Sequence, residues 1–429
     1  MSSTRSLTYQ EVAARVDRLA DRLRDSGHPA VALVAHDPVD SIVFLLASCQ
    51  AGVEGCLYPA DRDITFHLEC AAAFDHALVG IDDDHELVTV GQSSPGGPWT
   101  RAEIPDEPMI AVLTSGTTGK PKATRHHWRS LVASAAQGSS VTPNSPERWL
   151  LAYNLNQYAG LQVLAHVLNV GATVIVPDSI RPGDGVEALV THRVTHVSAT
   201  PTFWRVALGV LERRGYARVD LTQITVGGEA VSDALLHSLK QRFPRSRISH
   251  IYATSEIGSS VSVTDGKAGL PTRILYRDSG HPVQFRIENG QLLARSAIGM
   301  IGYHDSVVGP DDWVQTGDLV EVRDDRIRFV GRVGSVINVG GVKVHPLAVE
   351  DIIGEVEGVA MVHVYGRANA VTGNIVAVEV VARDGWSEDV VRREIETASK
   401  SLPAAHRPRI VKFVESLSTI QNKIDRRKS

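Results

Sequence analysis

Leu113-Thr114-Ser115-Gly116-Thr117-Thr118-Gly119-Lys120-Pro121-Lys122 follows directly on the apolar run Met109-Ile110-Ala111-Val112-Leu113. The run reads as a buried strand. Hydroxyls, glycines and lysines then arrive together, which is the chemistry a polyphosphate needs. Glycines let backbone N–H groups close on the ligand, hydroxyls donate further bonds, and lysines supply charge. It is not a Walker loop, which needs four residues between its glycines and Ser or Thr after the lysine. Here Gly116 and Gly119 are two residues apart and Pro121 follows Lys120. A flexible linker of this composition would not be expected straight after a core strand and paired with two lysines.

A chain of 429 residues is too long for one core and points to two or three domains. A net charge of −5 gives no general pull toward nucleic acid or an anionic membrane. Cys49, Cys56 and Cys70 lack metal-type spacing and read as buried, reduced thiols. A polar N-terminus and the lack of a bilayer-length apolar run make a cytoplasmic protein the expectation.

Thr8-Tyr9-Gln10-Glu11 reads as a capping box, with Val12, Val16, Leu19, Ala20 and Leu23 on one helical face behind it. A strand over 30–35 and a helix over 39–51 follow, so helix and strand alternate. That alternation predicts an α/β layer with a largely parallel sheet. Residues 149–176 read as strand, loop (Tyr153-Asn154-Leu155-Asn156-Gln157-Tyr158-Ala159-Gly160), apolar helix and strand. Ile224-Thr225-Val226-Gly227-Gly228-Glu229-Ala230 is a strand ending in two glycines. Further on come Ile251-Tyr252-Ala253-Thr254-Ser255-Glu256, Gln315-Thr316-Gly317-Asp318, Gly331-Arg332, the hairpin around Gly340-Gly341, and the tail Asn422-Lys423-Ile424-Asp425-Arg426.

In this order the segments resemble the adenylate-forming superfamily, which includes acyl- and aryl-CoA ligases, peptide-synthetase adenylation domains and luciferases. The resemblance spans about residues 8–427. It implies a large α/β core over 1–333, with a shortened N-terminal subdomain and a small β-barrel-like subdomain near 265–330. A mobile α+β lid over 334–429 would turn on a hinge at Gly334, where the family usually has Asp or Lys. By the same resemblance Thr114, Ser115, Gly116, Thr117, Thr118, Gly119, Lys120 and Lys122 would hold the ATP phosphates. Gly228, Glu229, Ala230, Tyr252, Ala253 and Thr254 would flank the adenine. Asp318 and Arg332 would take the ribose, Glu256 would hold Mg²⁺, and Ser255 and Lys423 would serve catalysis, Lys423 behind Asn422 in place of the family's glycine. Asn154, Gln157, Tyr158, Gly227 and Gly228 would line the acid pocket. The amides of Asn154, Asn156 and Gln157 suit a polar acid, or equally bond to their own loop backbone.

The resemblance implies ATP-dependent conversion of a carboxylic acid, aryl or otherwise planar and polar, to an acyl-adenylate. Transfer to a thiol, CoA or the phosphopantetheine arm of a carrier protein, would follow. An α-amino acid is disfavoured, because no carboxylate between Trp149 and Val176 could pair with its ammonium. A short- or medium-chain acyl-CoA ligase, an enzyme forming amide or N–N bonds, and a nucleotide-binding module without turnover remain alternatives. The molecule would be a monomer or a homodimer.

Overall fold

The computed structural model describes residues 6–34, 36–81, 87–91, 107–115, 121–136, 146–216, 219–420 and 422–426. The N-terminal helix Tyr9–Asp25 starts at the expected capping box, Thr8 and Glu11 satisfying each other's backbone N–H groups. It buries Val16, Leu19, Ala20 and Leu23. The helix Pro38–Ala51 ends as its sequence indicates, with Gly52 in the left-handed region.

Two sheets build the core. The first runs, in spatial order, Ser306–Val307, Gly302–Tyr303, Pro121–His127, Met109–Ser115, Glu54–Tyr58, Ala30–Val34, Ala77–Ile81, Leu87–Gly91. Its centre is parallel and its two flanks are antiparallel. The second runs Gly258–Val263, Arg247–Thr254, Gln223–Gly227, His196–Ala199, Arg148–Leu151, Thr173–Ile175, and is parallel except for its first strand.

The helix Tyr158–Val170 lies between them. Leu161, Leu164 and Ala165 join the core of the first sheet. Val163, Val167 and Val170 pack on Trp149 and Tyr153 of the second. Gln162, His166 and Asn169 form one polar stripe on it and the rest is apolar, so a place between two sheets is its stable one. The opposite face of the second sheet is covered by Pro201–Arg213 and its neighbours, around fully buried Phe203 and Trp204.

Inside the first sheet Arg125 grips Glu54 with two nitrogens, and His76 stands beside them. Burial alone would raise the Glu54 carboxyl. His76 and Arg125 outweigh it and hold the group at about 2. Cys56 and Cys70 are buried and Cys49 partly so. Burial pushes their thiols up, Cys70 to about 11, which suits packing rather than chemistry.

The expected small β-subdomain is a five-stranded antiparallel sheet with its own core around Phe285, Leu292 and Ile327. Residues 337–413 enclose a further core of Val344, Val349, Val378 and Ile395 beside the long hairpin Val359–Asn369 and Gly373–Ala382. The last described strands, Thr419–Ile420 and Lys423–Ile424, form a short hairpin that reaches back into the main body.

Candidate active site

A cleft of about 3420 Å³ opens where the two large sheets, the antiparallel sheet and the tail hairpin meet. That is several times the roughly 300–1,000 Å³ of a pocket for one small ligand. It lies at the carboxyl ends of the parallel strands, where α/β sheets place their ligands.

On one side stands the quoted stretch. Met109–Ser115 pairs antiparallel with Pro121–His127, Thr114 opposite Lys122. Gly116, Thr117, Thr118, Gly119 and Lys120 lie outside the described residues, as does the side chain of Ser115. The Thr114 hydroxyl donates to the Lys122 carbonyl at 3.4 Å. The Lys122 ammonium sits 4.8 Å from the centre of the Tyr303 ring, a cation–π contact at the cleft wall.

On the other side two strand ends converge. Gln223–Gly227 ends at Gly228, whose φ of +85° is left-handed. Arg247–Thr254 ends in a turn where the Thr254 hydroxyl accepts from the N–H groups of Glu256 and Ile257, each at 3.3 Å. Thr254 thus organises the turn, and Ser255 and Glu256 line the cleft. Glu256 lies close enough to Tyr303 and Asp318 that its charge raises both of their pKa values, after the larger effect of burial. Among the described residues no group of three or more His, Cys, Asp and Glu is arranged to hold a metal. A single carboxylate in this position fits Mg²⁺, which takes one or two carboxylates and completes its shell with phosphate oxygens and water.

Asp318 and Tyr252, assigned to ribose and adenine by resemblance, are joined. The Tyr252 hydroxyl donates to Asp318 Oδ2 at 2.7 Å, and the Arg332 Nε lies 3.0 Å from Oδ1. The Tyr252 ring packs on Phe329, with centroids 5.0 Å apart. Burial raises the Asp318 carboxyl, while Arg332 and Tyr252 act against it. Each carboxylate oxygen keeps a lone pair for another donor.

Lys423 is the largest departure from what its sequence context suggests by itself. A lysine in a basic tail is ordinarily solvated, yet this one is drawn into the cleft against Gly228. A Cβ on Gly228 would stand 3.2 Å from Lys423 Cε and 3.4 Å from Nζ. Burial lowers the Lys423 pKa, Arg332 lowers it further, and Glu229 opposes both. The Glu229 carboxylate is engaged with protein. It accepts from Thr202 N–H at 3.1 Å, at the start of a helix, and from Ile424 N–H at 3.2 Å. It therefore holds the tail strand, in addition to standing beside the expected nucleotide turn.

Asn154, expected in the acid pocket, is not among the residues that line the cleft. Its backbone N–H donates to Gln157 Oε1 at 3.2 Å and its backbone carbonyl accepts from Gln157 N–H at 3.0 Å, closing the turn ahead of the helix. Asn156 takes its place on the cleft wall, its Oδ1 buried and without a hydrogen-bond partner. Tyr158 is buried, with its hydroxyl accepting from Gln162 Nε2 at 3.2 Å. The Tyr153 hydroxyl donates to the Gly227 carbonyl at 3.2 Å. Beyond it the sheet face bears Ser198, Thr225 and Ser249, with Gln223 donating to Thr225 and Ser249 at 3.1 and 3.0 Å.

Gly334 sits in the exposed turn Val333–Ser335 with nothing within 4 Å of a Cβ placed on it. Its φ is not in the left-handed region, so this conformation does not itself require glycine.

The model of the AMP-binding enzyme family matches residues 67–304, and that of the AMP-binding enzyme C-terminal domain matches residues 348–423. The chain belongs to the AMP-binding enzyme family. Among relatives of this AMP-binding enzyme is the 2-succinylbenzoate–CoA ligase of Listeria innocua, 25% identical over 450 residues, covering 98% of this chain and 93% of that one. The fold is that of an anthranilate CoA ligase solved with anthranoyl-AMP (TM-score 0.79, 17% identity, covering 99% of this chain and 91% of that one). It is equally that of an amide bond synthetase from Marinactinospora thermotolerans (TM-score 0.76, 20% identity, 99% and 94%). The adenylate-forming resemblance and its α/β architecture thus stand, with a large N-terminal and a small C-terminal region.

Proposed function

We propose that this enzyme activates a small aryl or otherwise planar, polar carboxylic acid with ATP, releasing pyrophosphate, and passes the acyl group to a thiol of CoA or a carrier protein. The observation that carries this reading is the partly buried Lys423 ammonium against Gly228, in the cleft that also holds Lys122 and Glu256. A carboxylate is a poor electrophile until its oxygen becomes a leaving group. Its attack on the α-phosphorus spreads charge over the phosphoryl oxygens, so positioning and electrostatic stabilisation are what the protein contributes.

Lys423 would bridge the attacking carboxylate and the α-phosphate. Lys122 and Thr114, with residues 115–120, would hold the departing pyrophosphate. Glu256 would hold Mg²⁺, which supplies neutralising charge to the phosphates. Asp318 would accept from the ribose hydroxyls while Arg332 and Tyr252 fix its orientation. Asn156 Oδ1 and the Ser198, Thr225 and Ser249 face supply hydrogen-bonding groups for a polar acid. Gly334 would be the hinge between a core over 1–333 and a lid over 334–429, withdrawing Lys423 before acyl transfer.

The likeness in fold to an amide bond synthetase favours a second reading, in which a nitrogen nucleophile takes the acyl group. Pyrophosphate release across aryl, cinnamic and aliphatic acids, with and without CoA, tests the proposal. Acid-dependent release with thioester product supports it; amide product with an added amine and no thioester selects the second reading. Lys423→Ala is expected to abolish acid-dependent release and to spare transfer from supplied acyl-adenylate. Unchanged release would remove Lys423 from the reaction.

A further inference from the structure

We propose that Asn422 is a positioning residue that latches Lys423 into the adenylate-forming site and so sets the balance between acid activation and acyl transfer. The inference rests on the role proposed for Lys423. Asn422 holds the left-handed conformation, φ 58°, which glycine adopts freely and asparagine tolerates better than most residues. The backbone conformation alone would thus be met by glycine, and the asparagine side chain does something further.

Its amide Nδ2 donates twice. One bond goes to the Ala152 carbonyl at 3.3 Å, just past the strand Arg148–Leu151. The other goes to the Ile180 carbonyl at 2.5 Å, ahead of the helix Pro182–Thr191. Two segments of the large core are thereby tied to one side chain of the tail. The Asn422 carbonyl accepts from the Thr200 hydroxyl, which also accepts from Phe203 N–H at 3.0 Å to cap the helix Pro201–Arg213. On the far side of Lys423 the Ile424 N–H donates to Glu229 at 3.2 Å. The lysine is pinned to the core by the residue before it and the residue after it.

Asn422 is only 7% exposed, so its bonds are made out of water, where an unmatched carbonyl is costly. Withdrawal of Lys423 breaks all of them together. The side-chain pair therefore favours the arrangement that makes adenylate and opposes the one that leaves it. Next to Arg426, whose two terminal nitrogens bond Glu350 at 2.8 and 2.7 Å, the same tail segment is also tied to the helix Pro346–Gly354. The tail is held at both ends, and Asn422 is the releasable end.

The test is Asn422→Gly, which keeps the backbone conformation and removes only the amide. Pyrophosphate release is measured with the acid chosen from the panel, anthranilate first, and acyl transfer to CoA is measured from its synthetic acyl-adenylate. Loss of the two bonds is expected to lower the rate of pyrophosphate release about tenfold, with acyl transfer unchanged or faster. Asn422→Asp, which turns an acceptor toward two carbonyls, should lower release further. Independently of turnover, trypsin should cut after Lys423 and Arg426 several times faster in Asn422→Gly than in the parent protein with ATP present, at little change in melting temperature. Equal slowing of both half-reactions, or an unchanged cleavage rate, would overturn the latch. Lys423→Ala is the control for the reading beneath it: if it leaves release intact, that reading fails, and the trypsin rates still decide whether Asn422 holds the tail.

Discussion

Lys423 shows how much a residue's surroundings decide. Its side chain is partly buried in the cleft, and burial and Arg332 disfavour the charged form more than Glu229 favours it. A lysine whose pKa is lowered keeps its charge only below that lowered value. Pyrophosphate release is therefore expected to fall on the alkaline side at a pH below the ordinary lysine value of 10.5. Lys423→Arg should move that limb upward even if it turns over more slowly, because guanidinium stays charged. A pH–rate profile of both proteins with the panel acid checks this; an alkaline limb common to both would mean that another group sets it. Asp318 presents the opposite case, a carboxyl raised by burial and steadied by Arg332 and Tyr252. Asp318→Asn removes the negative charge and exposes Arg332 to no counter-ion. We expect the KM for ATP to rise more than tenfold at nearly unchanged stability, read from initial rates and a melting curve.

At the scale of elements, the site is made by strand ends that stop where backbone must come close to something. Gly228 follows the strand Gln223–Gly227 in a left-handed conformation with Lys423 packed on its α-carbon. An alanine there meets two obstacles, a φ of +85° and a methyl 3.2 Å from Lys423 Cε. Gly228→Ala is expected to lower the rate of pyrophosphate release at least tenfold, while strain of about 1–3 kcal/mol appears as lost stability. Rates and denaturant unfolding separate the two. The helix Tyr158–Val170 acts differently. Apolar but for the stripe of Gln162, His166 and Asn169, it keys the second sheet to the first and so fixes the cleft wall that Asn156 and Gln157 present. The turn at its start is closed by the Asn154 backbone bonded to Gln157, and Asn156, between them, lines the cleft.

The whole molecule joins its regions with charge as well as apolar packing. Glu350, on the helix Pro346–Gly354, is buried, and burial would raise it. Arg426, His363 and the Val364 N–H overcome that and hold it at about 2. A carboxyl whose pKa is lowered on folding stabilises the fold above its unfolded value, and that stability is lost as pH falls through the folded value. The window here runs from about 4.5 down to about 2. Glu350→Ala removes the buried carboxylate that Arg426 and the Val364 N–H bond and should destabilise the protein by about 3 kcal/mol, with the acid dependence between those pH values reduced. Denaturant titrations at pH 7 and pH 3 measure both. Gly334 lies at the exposed turn between the antiparallel sheet and the hairpin that opens the C-terminal region. Gly334→Pro should slow acyl transfer more than adenylate formation, by severalfold, because proline fixes φ where a turn of the lid would need it free. Equal effects on both half-reactions would place the turning point elsewhere.

Local chemistry was readable without the fold. The capping box at Thr8, the left-handed Gly52, the strand Met109–Ser115 and the glycine-linked hairpin at Gly340-Gly341 are short-range consequences of which residues stand next to one another. The order of motifs also pointed to the family, because each motif is a local answer to a piece of a nucleotide. What neighbours in sequence could not show is which distant groups meet. Glu229 reads as part of a nucleotide turn, yet its carboxylate binds the N–H of a residue 195 positions away. Asn154, Asn156 and Gln157 read alike as pocket amides, and of the three it is Asn156 and Gln157 that line the cleft, with Gln157 Oε1 taken by the Asn154 backbone N–H. Lys423 stands in a basic tail, and it is drawn into the cleft because a strand end, a helix cap and two backbone carbonyls of the core meet it and its neighbour Asn422. Desolvation and long-range hydrogen bonds are properties of the assembled surface, and they arise only when the tertiary structure brings those parts together.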